Sequence, residues 1–197
     1  MKTILRFLLA AFLLTIHTAE AARPNIIFLF VDDMGYGDIG CYGAPDAKTP
    51  VLDKLATEGV RFTQFYTNGA ECTPARTAFL TGRYPQRVGG LECAIGTGNV
   101  GRYDDAIRLA EKRDLGLPVS YATLAPGLRQ AGYANGIFGK WHLGYEPKFN
   151  PLNQGFEEFV GFLGGNVDYF THTELSPLDV YIGQRKPIQR KGYMTHL

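Results

Sequence analysis

The chain has 197 residues, of which 45% are hydrophobic, and its 20 lysines and arginines nearly balance its 19 aspartates and glutamates. This length suggests one domain or at most a small pair, and the balanced charge offers no basic field to attract nucleic acid or an anionic membrane surface. Three cysteines are too few for a disulfide scaffold. Composition therefore excludes a coiled coil, a collagen, a multi-pass membrane protein and a disulfide-stapled miniprotein.

The first 21 residues have the pattern of a secretory signal peptide. Lys2 and Arg6 give a positive start, an apolar run follows, and Ala19 and Ala21 form a small-x-small cleavage site. The apolar run is well short of the ~20 residues that cross a bilayer, although an N-terminal membrane anchor is the alternative. We therefore expect cleavage after Ala21 and a secreted or periplasmic protein without a membrane span.

Apolar runs of strand length alternate with capped helical segments along the rest of the chain. In chain order, the sequence predicts a strand over 25–31, a helix opened by Thr49-Pro50 and ended by Gly59, a strand over 60–66, a helix opened by Thr73-Pro74 and ended by Gly82, a short helix near 104–112, a helix over about 123–131 and a strand over 133–138. This alternation indicates an α/β layered fold with a largely parallel sheet.

A pair of carboxylates, Asp32 and Asp33, directly follows the first predicted strand. In parallel sheets, ligands bind beyond the carboxyl ends of the strands. Two adjacent carboxylates repel each other unless a positive group lies between them, and Ca²⁺ or Mg²⁺ prefers such oxygen ligands. The pair therefore predicts a divalent metal site, with a solvated turn as the alternative.

A cysteine and an arginine occupy the start of the predicted helix opened by Thr73-Pro74. Cys72 lies just before the helix N-terminus, where N–H groups and the helix dipole stabilise negative charge, so its thiol is suited to act as a nucleophile. Arg76 lies one turn further on and can serve as a forked anion clamp. A phosphatase-type loop is excluded because the sixth position after the cysteine is Ala78. The alternative is a small buried cysteine on a capped helix.

A cation and an imidazole, Lys140 and His142, follow the last predicted strand. Being two residues apart, they point the same way if the chain stays extended. Near a metal and an anion clamp, such a pair suits the handling of a tetrahedral oxyanion. The alternative is that both residues decorate the surface.

These motifs together resemble the type I sulfatases of the alkaline-phosphatase superfamily. Residues 72–76, CTPAR, match the Cys-x-Pro-x-Arg core of the first family signature, residues 132–142 match the second, and RPNIIFLFVDDMGYGD matches the family start. The likeness covers roughly residues 23–170, with Asn135 where the family commonly has Ser or Thr. It implies an alkaline-phosphatase-like layered fold with a central, largely parallel sheet flanked by helices.

The resemblance also implies a mechanism built on a modified cysteine. Cys72 would be oxidised to Cα-formylglycine by a separate maturation enzyme that recognises the Cys-x-Pro-x-Arg stretch. One hydroxyl of the hydrated aldehyde would attack sulfur, and deprotonation of the other would expel sulfate. Arg76 would orient the formylglycine, Lys140 would hold sulfate oxygens, and His142 would assist proton movement.

The same resemblance implies a Ca²⁺ ion, with Mg²⁺ as the alternative, held by Asp32, Asp33 and the modified Cys72. Because Ca²⁺ takes ~6–8 oxygen ligands, these three residues make an underfilled site. Family members are considerably longer and supply an Asp-Asn pair, a histidine and a lysine from later segments, which nothing after residue 170 here provides. Residues 22–197 are therefore expected to be the N-terminal part of a sulfatase catalytic domain.

Three functions remain open at this point. The leading one is a sulfuric ester hydrolase acting on a sulfated glycan or an aryl sulfate; the others are a related phosphonate or phosphodiester hydrolase and a non-catalytic truncated fragment. Arg102, Tyr103 and Arg108 either rim the substrate pocket or lie on the surface. Cys41 and Cys93 either pair or stay as buried thiols.

Overall fold

The computed structural model describes residues 23–174, 180–182 and 192–196. The predicted signal peptide over 1–21 therefore lies outside the described residues. The chain divides into two compact units, Met1–Asp53 and Lys54–Leu197. Among the described residues, no helix combines the length and the apolar character that crossing a bilayer requires.

The described part of the first unit, residues 23–53, has little regular structure, and the predicted strand over 25–31 is wrong. That segment pairs with no other described segment, and its side chains are exposed, Ile27 at 84% and Leu29 at 75%. A strand needs a neighbour for its N–H and C=O groups, which an apolar run cannot supply by itself. The Gly-rich stretch that follows is a loop, as predicted, with short 3₁₀ turns at Tyr36–Asp38 and Gly40–Tyr42.

Helix α1 spans Pro50–Glu58 and confirms the helix predicted from Thr49-Pro50. The Thr49 hydroxyl donates to Asp53 Oδ1 at 3.0 Å and accepts from the Gly40 N–H at 2.9 Å. At the other end the Gly59 N–H donates to the Leu55 carbonyl at 2.9 Å. The Thr49 side chain thus joins the first turn of the helix to the preceding loop.

The described part of the second unit contains three further α-helices: α2 (Cys72–Thr81), α3 (Asp104–Glu111) and α4 (Leu124–Gln130). All three confirm predicted helices. Gly82 ends α2 in the left-handed conformation with φ 64°, and Pro126 lies in the first turn of α4, where its missing N–H has no helical partner to lose. The strand predicted over 60–66 is wrong, because that segment is exposed and pairs with no other described segment.

A sheet with the order β1-β2-β3 follows the helices. Strand β1 (Gly136–Lys140) pairs in parallel with β2 (Glu158–Phe162), which pairs antiparallel with β3 (Val180–Ile182). The parallel pairing fits the predicted largely parallel sheet, although the sequence predicted no strand at β2 or β3. Strand β1 begins three residues later than the predicted strand over 133–138. The reason is that the Tyr133 N–H still donates to the Leu128 carbonyl at 3.0 Å, as part of the turn that ends α4.

The hydrophobic core of the second unit lies between these helices and the ends of β1 and β2. Its buried side chains are Leu80, Val88, Leu91, Ile95, Ala106, Leu115, Leu117, Trp141, Leu143, Phe159 and Leu163. Trp141 is fully buried and meets Phe156 edge-on, with ring centroids 6.4 Å apart. Burying a large apolar side chain contributes about 1.5–3 kcal/mol, so Trp141 firmly fixes the chain where it leaves β1.

Candidate functional site

The structure brings the predicted nucleophile and the predicted lysine into direct contact. Cys72 is the first residue of α2, not the residue before it, and follows Glu71, whose extended backbone (φ −124°, ψ 167°) caps the helix. Lys140 is the last residue of β1. Its Nζ donates to Cys72 Sγ at 2.9 Å, although 68 residues separate the two in sequence.

The first turn of α2 also binds the chain that leaves β1. Arg76 NH1 donates to the Lys140 carbonyl oxygen at 2.6 Å, and Thr73 Oγ1 donates to the His142 carbonyl oxygen at 2.9 Å. Side chains three residues apart lie on the same face of a helix. One face of α2 therefore binds the carbonyl oxygens of both Lys140 and His142. Arg76 thus orients the segment that carries Lys140.

His142 is buried and its backbone is left-handed, with φ 57°. The chain therefore does not stay extended from Lys140 through His142, as the predicted common direction of the two side chains requires. The His142 Nε2 atom lies 2.7 Å from the Ile95 carbonyl oxygen. Because a carbonyl oxygen only accepts, Nε2 carries the proton of this bond.

A carboxylate that the sequence reasoning left without a role, Glu71, lies directly before the nucleophile. Its Oε2 accepts from the Ala94 N–H at 2.6 Å, and its Oε1 accepts from Arg102 NH1 at 3.3 Å. The Ala94 N–H, the Cys93 thiol and the Arg102 guanidinium hold the pKa of Glu71 below its usual value, in that order of importance. Glu71 thereby stays anionic and anchors the loop that follows Cys93.

Sequence reasoning also missed two members of the site. Thr73 lies inside the Cys-x-Pro-x-Arg motif of residues 72–76, so its place in the sequence could have identified it as a member of the site. Ile95 contributes only its backbone N–H and C=O, and no side-chain pattern could have revealed that role.

Asp32 and Asp33 lie in the first unit, and both are exposed. Asp33 has a left-handed backbone with φ 56°, a conformation that aspartate tolerates better than most residues. Their assignment as metal ligands stays a prediction.

Several further predicted residues also have defined surroundings. Arg108 NH2 pairs with Asp105 Oδ1 at 2.6 Å on the exposed face of α3, and Tyr103 is exposed. Cys41 and Cys93 lie in different units, so their pairing stays a prediction. Cys93 is buried and Cys41 is half-buried.

Comparison with known proteins gives matches over most of the chain. Residues 24–193 match the family model Sulfatase. Human arylsulfatase A is 45% identical over 145 residues, which is 73% of this chain and 26% of that protein. Rat N-acetylgalactosamine-6-sulfatase is 44% identical over 138 residues, which is 70% of this chain and 25% of that protein. The chain thus spans about a quarter of the curated relatives it matches.

Solved structures give the same result for the backbone. Ps i-CgsB superposes with a TM-score of 0.67 at 31% identity, covering 84% of this chain and 37% of that chain. A protein solved in complex with its substrate D-glucosamine-2-N,6-O-disulfate superposes with a TM-score of 0.63 at 30% identity, covering 88% of this chain and 29% of that chain.

Proposed function

Because this chain belongs to the sulfatase family and has its alkaline-phosphatase-like fold, we propose that it carries the nucleophile of an enzyme that hydrolyses sulfuric esters and releases inorganic sulfate. The observation that carries the proposal is the 2.9 Å contact of Lys140 Nζ with Cys72 Sγ at the first residue of α2. An ammonium group fixed beside the nucleophilic atom stabilises the negative charge that develops there and attracts sulfate oxygens.

In this proposal Cys72 is the site of oxidation to formylglycine by a separate maturation enzyme. The stretch that such an enzyme would recognise is complete, with Cys72, Pro74 and Arg76 in the required spacing. The modified side chain supplies one hydroxyl that attacks sulfur and a second whose deprotonation releases sulfate. Lys140 Nζ, already a donor to Sγ, donates to the oxygen that takes the place of the sulfur.

The neighbouring residues hold and move charge around that atom. Arg76 fixes the direction of Lys140 through the 2.6 Å bond to its carbonyl oxygen. Lys140 binds sulfate oxygens as a point charge. His142 serves as the general base and acid that takes up and returns a proton.

Asp32, Asp33 and the modified Cys72 are the proposed metal ligands. Carboxylate oxygens suit Ca²⁺, or alternatively Mg²⁺, whereas a cysteine sulfur suits softer metals. The residues present therefore fit a hard cation once an oxygen replaces Sγ of Cys72. When bound, the ion would supply Lewis-acid polarisation and a template for the sulfate group.

The proposed substrate is a sulfated glycan or an aryl sulfate, and the proposed location is secreted or periplasmic. Relatives named arylsulfatase A and N-acetylgalactosamine-6-sulfatase support this substrate class. The neighbouring structure bound to a disulfated glucosamine supports it as well.

The test compares Cys72→Ala with the unaltered protein, both produced together with a formylglycine-generating enzyme. We expect sulfate release from an aryl sulfate to fall by about 10³-fold or more, because the reaction loses its nucleophile. Released sulfate is measured by ion chromatography, and peptide fragmentation through residue 72 reports the aldehyde. The matched control is Cys41→Ala, which removes a half-buried thiol from the first unit and should leave sulfate release unchanged.

Each other outcome has a definite reading. Full turnover by Cys72→Ala contradicts the nucleophile assignment. Faster release of phosphate than of sulfate from matched aryl esters indicates the related phosphodiester hydrolase. An unaltered protein with the aldehyde in place and no turnover on either ester indicates the non-catalytic fragment.

A further inference from the structure

A closed ring of hydrogen bonds joins three buried residues beside the candidate nucleophile. Thr73 Oγ1 donates to the His142 carbonyl at 2.9 Å, His142 Nε2 bonds to the Ile95 carbonyl at 2.7 Å, and the Ile95 N–H donates to Thr73 Oγ1 at 3.1 Å. Thr73, Ile95 and His142 are 0%, 3% and 4% exposed, respectively. Each residue donates once and accepts once, so the ring is complete without water.

The Ile95 carbonyl is held in place from both sides along the chain. The preceding Ala94 N–H donates to Glu71, at 2.6 Å. The following Gly96 forms two backbone bonds with Val100, at 2.7 and 3.0 Å, which close a tight hairpin. An acceptor on so constrained a backbone fixes the direction of the His142 Nε2–H bond.

The imidazole of His142 is also confined across its face. A Cβ atom on Gly165 would lie 2.6 Å from His142 Cε1 and 2.9 Å from Nε2, so the backbone there lies directly against the ring. Rotating the imidazole by half a turn would replace the Nε2–H donor by a carbon and leave the buried Ile95 carbonyl without its bond, which costs about 1–3 kcal/mol. The ring therefore has one favoured orientation and one favoured tautomer.

We propose that Thr73 is a positioning residue for proton transfer by His142. The hydroxyl of Thr73 closes the ring that keeps Nε2 protonated and bonded, which makes Nδ1 the nitrogen that reacts. In the proposed hydrolysis, Nδ1 is then the nitrogen through which His142 takes up and returns a proton. Nε2–H is unchanged throughout. This inference rests on the proposed function and identifies the atom that carries the proton.

The chain offers a matched control on the same helix. Thr77 lies one turn after Thr73 on α2 and is equally buried, at 0% exposure, but its hydroxyl forms no hydrogen bond with the described part of the chain. Thr73→Val and Thr77→Val therefore remove the same buried atom from the same helix. A role confined to packing would make the two substitutions alike, whereas a role in positioning His142 separates them.

The experiment measures both kinetics and the tautomer of His142 in the full protein made with the maturation enzyme. A positioned general base typically raises the rate by about 10²–10⁴-fold. Because Thr73→Val should remove part of that contribution, we expect kcat to fall by about tenfold or more. KM should change by less than about twofold. In ¹⁵N-histidine spectra, assigned with His142→Gln and His172→Gln, the single Nε2–H tautomer of His142 should be lost. Thr73→Ser should restore both, and Thr77→Val should change neither.

A second variant keeps the inference testable if Thr73→Val does not fold. Gly165→Ala leaves the Thr73 hydroxyl intact but pushes on the imidazole, so it should disturb the same tautomer signal and lower kcat. Normal kcat and an unchanged tautomer in a folded Thr73→Val protein would overturn the inference while sulfate release still supports the function. If no ester is hydrolysed at all, the proposed function fails, and the tautomer spectra still decide whether Thr73 orients His142.

Discussion

One of the two cysteines that the mechanism does not use, Cys93, has surroundings that suppress its reactivity. The residue is 8% exposed, and its Sγ lies 3.9 Å from Arg102 NH1. Burial is the main cause that raises the pKa of the Cys93 thiol, and the hydrogen bond and negative charge of Glu71 raise it further. The arginine opposes this shift but is the smaller influence.

We predict that Cys93 is alkylated more slowly in the folded chain than in the unfolded chain. An unfolded cysteine ionises near pH ~8.5, whereas the folded thiol stays protonated to higher pH, and only the thiolate reacts. The difference should be largest just above pH ~8.5. Any stability from the protonated thiol is present below that pH and is lost as pH rises toward the folded pKa.

The measurement is iodoacetamide labelling followed by peptide mass spectrometry, with the same chain in urea as the control. Equal rates at Cys93 in the two states would contradict the raised pKa.

The candidate site was predictable from sequence to the extent that side chains define it. The residue types at Cys72, Arg76 and Lys140 carry recognisable chemistry, and the structure places them within hydrogen-bonding contact of one another or of one another's backbone. Ile95 was not predictable, because it contributes through backbone atoms that every residue has. The left-handed backbone of His142 was not predictable either, since tertiary contacts impose it.

Strands β1 and β2 approach so closely that two glycines face each other in the parallel register. Gly139 pairs with Gly161, and a Cβ atom on Gly161 would overlap the carbonyl oxygen of Gly139. A backbone atom cannot swing aside as a flexible side chain does. The pairing that aligns Lys140 therefore depends on the missing side chain.

We predict that Gly161→Ala destabilises the chain by about 1–3 kcal/mol, the usual cost of overpacking. The free energy of unfolding is measured by urea denaturation. The matched control is Gly127→Ala in α4, where a Cβ atom would meet nothing within 4 Å and alanine should stabilise the helix by up to ~1 kcal/mol. A stability of Gly161→Ala equal to that of the unaltered chain would contradict the close approach.

At the level of elements, the four α-helices were predictable, but two of the three predicted strands were wrong and β2 and β3 were not predicted. Thr49 and Gly82 act on their own helices through bonds that span four residues or fewer, so a local sequence pattern contains the necessary information. Residues 25–31 and 60–66 have strand composition, but composition does not supply a partner strand. Strand β1 starts late because the Tyr133 N–H donates to the Leu128 carbonyl at the end of α4, a bond that the sequence pattern did not indicate.

On the scale of the whole molecule, the segment over 25–31 is unusual because its apolar side chains are exposed. Ile27 and Leu29 are two residues apart and highly exposed, so in an extended chain they lie on one face. Uncharged segments rich in β-branched and aromatic residues associate edge to edge when exposed. The chain alone should therefore self-associate.

We predict that Leu29→Lys weakens this self-association by at least about tenfold, because a charge on that face opposes stacking. Analytical ultracentrifugation over a range of concentrations gives the association constant. Val51→Lys is the control, since Val51 is equally exposed on α1 but stands outside the apolar segment. A monomeric unaltered chain, or equal association in all three proteins, would contradict the prediction.

The contacts between α2 and the end of β1 also determine when the site forms during folding. The bonds of Lys140 to Cys72, of Arg76 to Lys140 and of Thr73 to His142 join residues 68, 64 and 69 positions apart. Each of these bonds closes a loop of more than sixty residues. The chain must lose the conformational entropy of that loop before the contact can compensate for it. We therefore expect the helix to form early from local bonds and the site to form only when β1 docks onto the helix.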